Sequence, residues 1–216
     1  SKWRWITMIT LTCLGDSITD CNHCFSSDNL GNGYVKILAK HLSKEGFDCK
    51  IHNRGADGFT VWRLLQRTQS ENLSSFSEND IITILIGIND IGIIENTDRT
   101  LQQKQELFNK FQMHYHDLIT ILTNCTHKII LMEPFIFPCP AIYKTWNSDV
   151  RFMSEIIRTL ADKFQLPFLP LHQELNTQAL RYGYPELTID GVHLTAFGQQ
   201  LLAERLYSCI TENNYV

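Results

Sequence analysis

The apolar positions along the chain form short runs that alternate with stretches of helical spacing. Runs of apolar and β-branched residues predict strands at residues 6–14, 80–87, 128–133 and 167–171, and the alternation of Phe47, Cys49 and Ile51 with polar residues predicts one at 47–51. Between these runs, apolar side chains recur every three or four residues, which predicts helices within residues 34–42, 61–68, 107–122, 150–164, 172–182 and 196–209. This alternation predicts an α/β domain, with a central parallel sheet of about five strands covered by helices on both faces.

Composition adds limits to this picture. With 216 residues, 44% hydrophobic and 19% charged, the chain has an ordinary globular composition, and no repeat or linker divides it. We therefore expect one domain over residues 1–216. The formal net charge of −4 gives no electrostatic reason to expect nucleic acid as a partner. No apolar run reaches the roughly 20 residues of a membrane span.

The cysteines and the N-terminus bear on localisation. Seven cysteines without a framework spacing favour free thiols in a reducing compartment, so we expect a cytoplasmic protein. The opening "SKWRWITMITLTCLGDS" is similar to the basic and apolar regions of a signal peptide. Its apolar run leads straight into Ser17, however, which favours a first strand. A signal peptide removed before residue 1 would leave no trace in this sequence.

Polar residues and glycine follow the predicted strands where each strand ends. Ser17 follows the first strand, Gly58 the second and Asn89 the third, while Asp190 and His193 follow the fifth. Because the carboxyl ends of parallel strands meet at one edge of a sheet, these segments are expected to converge on one crevice. Each residue also has a purely structural interpretation, such as a helix cap at Ser17 or a turn beginning at Asp190, and only their joint order favours a site.

These residue types together suit acyl transfer. A serine hydroxyl needs a base to become nucleophilic, and the base needs a carboxylate to fix its tautomer. His193 and Asp190, three residues apart, could supply both. Backbone N–H groups at Ser17 and Gly58 and the amide of Asn89 could donate hydrogen bonds to the oxyanion of a tetrahedral intermediate.

Four motifs in the chain resemble those of the SGNH, or GDSL-type, serine esterases. They are "GDSIT" at residues 15–19, "NRGADG" at 53–58, "GIND" at 87–90 and "DGVHLT" at 190–195. They occur in the family's order over nearly the whole chain. The resemblance implies a flavodoxin-like three-layer sandwich, no cofactor and no metal.

The same resemblance implies a role for each site residue. Ser17 would be the nucleophile, His193 the base and Asp190 its partner, and Ser17, Gly58 and Asn89 would form the oxyanion hole. Asp16, in the first motif, is a candidate for the substrate pocket or a supporting residue.

The substrate is predicted less sharply. "GDSITDC" followed by "LGNGYV" resembles the branch that includes small carbohydrate acetylesterases, such as acetylxylan esterases. Residues 91–97, however, lack the Trp-Arg pair of that branch, and "DGVHLT" is closer to lysophospholipase-like esterases. We expect a short acyl ester, such as an acetylated sugar, since no long lipid-binding lid is evident. A lysophospholipase, a thioesterase and a non-catalytic carbohydrate-binding domain remain alternatives, and the oligomeric state cannot be predicted.

Aromatic residues near the predicted crevice could form the pocket walls. Such sites combine apolar walls with a few polar groups. The candidates, each of which could equally be core, are Phe59, Trp62, Phe135, Phe137 and Trp146.

The segment Cys21-Asn22-His23-Cys24 allows a different interpretation. A C-x-x-C pair can be a redox dithiol or half of a zinc site. A polar loop follows the pair and the chain contains no second one, so free cysteines beside a loop are favoured.

Overall fold

All five predicted strands are present in the structure. The computed structural model describes residues 8–95 and 98–216, so the predicted start of the first strand at residues 6–7 and the end of the segment 91–97 lie outside the described residues. The strands are β1 (Ile9–Gly15), β2 (Cys49–Gly55), β3 (Ile81–Leu85), β4 (Lys128–Met132) and β5 (Phe168–Leu169).

The strands form one parallel sheet in the order β2-β1-β3-β4-β5. This is the flavodoxin-like order, in which the chain moves outward from β1 in opposite directions. The carboxyl ends of β1 and β3 are therefore the topological switch point, where a crevice opens. The segments that follow β1 and β3 begin with Asp16 and Ile86, so Ser17 and Asn89 lie beside this crevice.

Helices cover both faces of the sheet, which confirms the predicted three-layer sandwich. Among the described residues, α2 packs against α9 in one layer, while α5 packs against α3 and α6 in the other. No helix in the described ranges is both long and apolar enough to cross a membrane. The helices are α1 (Ser17–Asp20), α2 (Tyr34–Lys44), α3 (Val61–Ser70), α4 (Ile88–Glu95), α5 (Leu101–Thr123), α6 (Asn147–Phe164), α7 (His172–Tyr182), α8 (Tyr184–Leu187) and α9 (Ala196–Glu212).

The core lies on both sides of the central strands. All five residues of β3 are buried, as expected for a strand covered by helices on both faces. Threonine side chains begin three of the covering helices, because Thr60, Thr100 and Thr195 each accept a hydrogen bond from a backbone N–H in the first turn.

Two differences from the prediction lie close to the candidate site residues. β2 extends four residues beyond the predicted end at residue 51. It is an edge strand whose Lys50, His52 and Arg54 are not fully buried, so this part of the strand lacks the apolar pattern used for the prediction. Residues 88–95, for which no helix was predicted, form α4. Its Ile88, Ile91 and Ile94 are spaced to bury one helical face, so Asn89 lies in the first turn of a helix.

Candidate active site

Ser17 is placed at the crevice by its two preceding residues. β1 ends at Gly15, where a Cβ atom would come within 2.1 Å of Thr19 Oγ1 and 2.8 Å of Leu85 O, so this turn requires glycine. The Asp16 side chain then accepts a hydrogen bond of 2.9 Å from the Ile18 N–H and caps α1. The local sequence therefore holds Ser17 at the helix N-terminus, beside the switch point.

Ser17, His193 and Asp190 form a continuous chain of hydrogen bonds. Ser17 Oγ lies 2.8 Å from His193 Nε2, and His193 Nδ1 lies 2.6 Å from Asp190 Oδ2. The other carboxylate oxygen accepts hydrogen bonds from the N–H groups of His193 at 2.7 Å and Val192 at 2.9 Å. With Nδ1–H donating to Asp190, Nε2 is left as an acceptor for the Ser17 hydroxyl proton.

These contacts also control the charge of Asp190. Burial acts to raise the pKa of its carboxyl, but the hydrogen bonds from the His193 backbone and ring and from the Val192 N–H outweigh burial. The net effect is a pKa below the ordinary value of an aspartate, so Asp190 stays ionised beside the imidazole.

The loop of residues 188–194 that carries Asp190 and His193 is itself firmly anchored. Thr188 and Leu194 pair as an antiparallel bridge across its base. The Thr188 hydroxyl donates to His193 O at 2.8 Å and accepts from the Gly191 N–H at 2.8 Å. Gly191 O accepts from the Phe137 N–H at 2.9 Å, which joins the loop to the chain after β4.

Three hydrogen-bond donors face the same cleft. Gly58 has a φ of +74°, and no atom lies within 4 Å of where its Cβ would be, so its backbone is open to a ligand. Among the described residues, the N–H groups of Ser17 and Gly58 donate to no protein acceptor. Asn89 Nδ2 donates to Phe59 O at 3.0 Å, which orients the amide and leaves its second hydrogen available.

Buried polar side chains hold these segments together. Asn53 Nδ2 donates to Thr19 O at 2.8 Å and Leu30 O at 2.9 Å, so it ties α1 and the following loop to β2. Asp90 accepts a hydrogen bond of 3.1 Å from the Val61 N–H at the start of α3. Burial raises the pKa of both Asp16 and Asp90 to about 7.

The cleft around Ser17 has a volume of about 660 Å³ and carries no basic side chain among its described lining residues other than His193. Its one acidic lining residue is Asp57, next to Gly58. Burial and a hydrogen bond with Asp20 raise the pKa of Asp57. The lining residues are Ser17, Ile18, Cys21, Asn22, Asn32, Asp57, Gly58, Asn89, Ile189, His193, Leu194, Ala196 and Gln199.

None of the six predicted pocket residues lines this cleft. Phe135 and Phe137 are fully buried, and Trp146 is 7% exposed and packs on Tyr143, so all three belong to the core. The Phe137 ring packs between Phe135 and Tyr184, and its backbone N–H donates to Gly191 O, so this segment faces neighbouring elements and not the cleft. The expectation of an aromatic wall from these three residues is therefore wrong.

The other three predicted pocket residues have different positions. Phe59 packs beneath the guanidinium groups of Arg63 and Arg67, each 4.9 Å from its ring centroid. Trp62 lines a separate groove. Asp16 is only 1% exposed and acts as the cap of α1 beneath Ser17.

Sequence reasoning missed several residues of the cleft wall. Asp57 could have been found, because it directly precedes Gly58 in the second motif. Gln199 could not, because it reaches the cleft only through the packing of α9, where its side chain accepts from the Tyr34 N–H and donates to Cys21 Sγ.

The surroundings of Cys21 do not favour a redox role for the Cys21 and Cys24 pair. Burial raises the pKa of Cys21 to about 11, which disfavours the thiolate that redox exchange requires. Both thiols are free. Within the described residues, no group of three or more His, Cys, Asp or Glu side chains is arranged to hold a metal ion.

The fold and the Ser17–His193–Asp190 geometry are those of a serine hydrolase of the flavodoxin-like type. A model of the GDSL-like Lipase/Acylhydrolase family matches residues 13–201, and the chain belongs to this family. It is a carboxylic ester hydrolase. No curated protein matches the sequence.

Solved structures of similar fold cover almost the whole chain. A protein from Parabacteroides merdae that is described as a GDSL-like lipase is 25% identical to this chain. Its structure aligns with a TM-score of 0.79 over 96% of this chain and 98% of the other. A variant of Axe2, an acetyl-xylooligosaccharide esterase from Geobacillus stearothermophilus, is 25% identical, with a TM-score of 0.73 over 91% of each chain. LAE5, an alpha/beta hydrolase enzyme from the metagenome of Lake Arreo in Spain, is 21% identical, with a TM-score of 0.78 over 94% of each chain, and supports the fold alone.

Proposed function

We propose that the protein removes short acyl groups, above all acetyl, from carbohydrate esters through an acyl-enzyme intermediate on Ser17. The observation that carries this proposal is the unbroken hydrogen-bond chain from Ser17 Oγ to His193 and from His193 to Asp190, with distances of 2.8 and 2.6 Å. A hydroxyl paired to an oriented imidazole at the mouth of an open cleft is the arrangement that nucleophilic acyl transfer requires.

In the first half-reaction, Ser17 Oγ attacks the ester carbonyl carbon while His193 Nε2 takes the hydroxyl proton. The carbonyl oxygen becomes an oxyanion, which accepts hydrogen bonds from the N–H groups of Ser17 and Gly58 and from the Asn89 amide. The tetrahedral intermediate then collapses. His193 returns the proton to the departing alcohol, and the acyl group stays on Ser17 as an ester.

In the second half-reaction, water replaces the alcohol. His193 takes a proton from the water as it attacks the acyl-enzyme, and the same donors stabilise the second oxyanion. Collapse releases the carboxylic acid and returns the proton to Ser17 Oγ. Throughout, the ionised Asp190 keeps Nδ1 protonated and stabilises the imidazolium that forms in each step.

The charge of the cleft supports a neutral alcohol as the leaving group. Its described lining contains Asp57 and no lysine or arginine, and Asp20 lies close to Asp57. Polar amides from Asn22, Asn32 and Gln199 are present instead. Sugar hydroxyls suit such groups, whereas phosphates are recognised mainly by arginine and lysine.

The same charge argues against the alternatives. A lysophospholipid carries a phosphate, and an acyl-CoA thioester carries several, so each would meet an acidic side chain in this cleft without a compensating cation. The similarity to an acetyl-xylooligosaccharide esterase gives independent support for an acetylated sugar.

The test compares the wild type with Ser17→Ala and with the control Ser70→Ala, whose hydroxyl is exposed at the end of α3 and bonds only Arg67 O. We expect Ser17→Ala to lose nearly all hydrolysis of p-nitrophenyl acetate and of an acetylated xylo-oligosaccharide, because no acyl-enzyme can form. Ser70→Ala should match the wild type, and circular dichroism should give the same fold for all three.

Two results would contradict the proposal. Folded Ser17→Ala that keeps substantial activity would exclude Ser17 as the nucleophile. A wild type that cleaves lysophosphatidylcholine or an acyl-CoA more efficiently than any acetylated sugar would overturn the carbohydrate assignment, while leaving the serine mechanism in place.

A further inference from the structure

A second cavity lies directly beside the cleft that holds Ser17. This groove, of about 440 Å³, is bounded by α3, α4 and α5 and by Thr60 before α3. Its walls include Trp62, Ile93 and Met113, large apolar side chains that are 45%, 47% and 53% exposed. Nothing in the proposed mechanism uses this groove.

The groove and the cleft share one wall. Gly58 and Asn89 line the cleft, whereas Thr60 and Asp90 line the groove. Since Gly58 and Thr60 are two residues apart, their Cα atoms are separated by at most about 7 Å. A ligand longer than one small ring could therefore occupy both cavities.

Two hydrogen bonds make this wall rigid. Asn89 Nδ2 donates to Phe59 O at 3.0 Å, and the Val61 N–H donates to the Asp90 carboxylate at 3.1 Å. The residues before α3 are therefore tied to the first turn of α4 on both sides of the wall. A ligand in the groove would be held in a fixed position relative to the oxyanion donors.

The groove combines an aromatic surface with polar groups. The Trp62 indole stacks on the His114 ring, with centroids 4.5 Å apart and an angle of 37° between the planes. This contact supports the indole from one side, while nearly half of the side chain is exposed. Thr60, Asp90 and Lys110 also line the groove and can exchange hydrogen bonds with hydroxyl groups.

We propose that this groove is a carbohydrate subsite, in which Trp62 stacks on a sugar ring of an oligosaccharide whose acetyl ester lies at Ser17. The proposal rests on the proposed function and deepens it, because it makes the enzyme a deacetylase of oligosaccharides rather than of single sugars. The polarised C–H groups of a sugar face match the negative face of an indole.

The polar groups favour a sugar over an acyl chain. A hydrocarbon chain in the groove would remove water from Thr60 and Lys110 without replacing its hydrogen bonds, which is unfavourable for charged and polar groups. Sugar hydroxyls would replace those hydrogen bonds while the ring packs on Trp62.

The experiment measures kcat/KM on acetylated xylo-oligosaccharides of one to four sugar units and on p-nitrophenyl acetate and octanoate. The variants are Trp62→Ala, Trp62→Phe and the control Phe152→Ala, whose ring on α6 is 43% exposed and lines neither cavity. In the wild type we expect kcat/KM to rise with sugar length. For the longer oligosaccharides, kcat/KM of Trp62→Ala should be about tenfold below that of the wild type, mainly because KM rises. Trp62→Phe should keep most of the wild-type kcat/KM.

All variants should cleave each p-nitrophenyl ester as well as the wild type does, because neither ester carries a sugar ring that could stack on Trp62. Length dependence that is absent in the wild type, or unchanged in Trp62→Ala, would overturn the subsite. So would a loss in Trp62→Ala confined to the octanoate ester, since the groove would then hold acyl chains. A wild type that cleaves p-nitrophenyl acetate but no acetylated sugar would instead refute the carbohydrate substrate itself.

Discussion

Single residues set the geometry at Ser17 and across the proposed oxyanion hole. Gly15 allows the close approach of Thr19 and Leu85 that turns the chain out of β1, and Asp16 caps the helix on which Ser17 sits. Asn89 is held in a comparable way, because its amide already donates to Phe59 O. A donor that is oriented before substrate arrives costs no reorganisation when the oxyanion forms.

Asn89→Ala should therefore affect the chemical step. We expect kcat for p-nitrophenyl acetate to fall by roughly 10²–10³ with little change in KM, the loss typical of one oxyanion donor. Steady-state kinetics on the purified variant measure both constants.

Asn32→Ala is the matched control, since Asn32 is an asparagine that lines the same cleft without belonging to the three donors. Its kcat should stay near that of the wild type. If Asn89→Ala instead raises KM and leaves kcat unchanged, Asn89 binds the ground state and is not an oxyanion donor.

At the scale of elements, the loop of residues 188–194 carries two members of the proposed triad, Asp190 and His193. Its geometry depends on Gly191, which has a φ of +95°. A Cβ at this position would lie 2.3 Å from Cys139 O and 2.7 Å from the Tyr143 ring. The loop can approach the chain after β4 only because this residue has no side chain.

Gly191→Ala should therefore disturb the site as well as the fold. Strained backbone and the contact with Cys139 O should together lower the free energy of unfolding by about 2–4 kcal/mol. Displacement of His193 from Ser17 Oγ by even about 1 Å should lower kcat on the order of 10²-fold. Urea unfolding and steady-state kinetics test the two effects.

Gly46→Ala separates strain from steric overlap. Gly46 has a similar φ of +85°, but no atom lies within 4 Å of its Cβ position. This variant should lose about 1 kcal/mol of stability and keep full activity. Equal effects on kcat in both variants would mean that the loop contact does not position His193.

Elements were predictable from sequence where burial is uniform. β3 was predicted because its buried residues are apolar except for the β-branched Thr83, and the 3.6-residue spacing predicted the six longer helices. The end of β2 was missed, because an edge strand can keep polar side chains without losing its backbone pairing. The short α4 was missed because "GIND" has the composition of a turn, while its helix depends on tertiary burial of Ile91 and Ile94.

For the molecule as a whole, sheet topology explains why the proposed site residues could be expected to lie together. Ser17, Gly58 and Asn89 follow β1, β2 and β3, which are neighbours in the sheet. The fourth motif reaches the same place through the loop that follows α8, where His193 meets Ser17. The positions of the aromatic residues predicted for the pocket could not be derived from the topology in this way. Phe135 and Phe137 follow a strand at the same edge but are fully buried, and nothing in their local sequence indicates the contact of Phe137 with Tyr184.

The compact fold also places two carboxyl groups, Asp16 and Asp90, in its interior near the switch point. Burial raises the pKa of each to about 7, whereas in the unfolded chain each would titrate near pH 4. Between these values the folded protein holds protons that the unfolded chain has released. The contribution of each carboxyl to the free energy of unfolding therefore falls as pH rises from about 4 to about 7.

Asp90→Asn should remove the part of this pH dependence that comes from Asp90. The hydrogen bond to α3 should remain, because an asparagine oxygen can still accept from the Val61 N–H. Relative to the wild type, the free energy of unfolding of the variant should rise by on the order of 2–4 kcal/mol between pH 5 and pH 8. His172 acts in the opposite direction, since burial lowers its pKa, but it is present in both proteins and cancels in the difference. Urea unfolding at both pH values measures the change, with Asp48→Asn, an exposed aspartate before β2, as the control. If the difference between Asp90→Asn and the wild type is the same at pH 5 and pH 8, Asp90 is ionised at both values and its burial does not govern the pH dependence of stability.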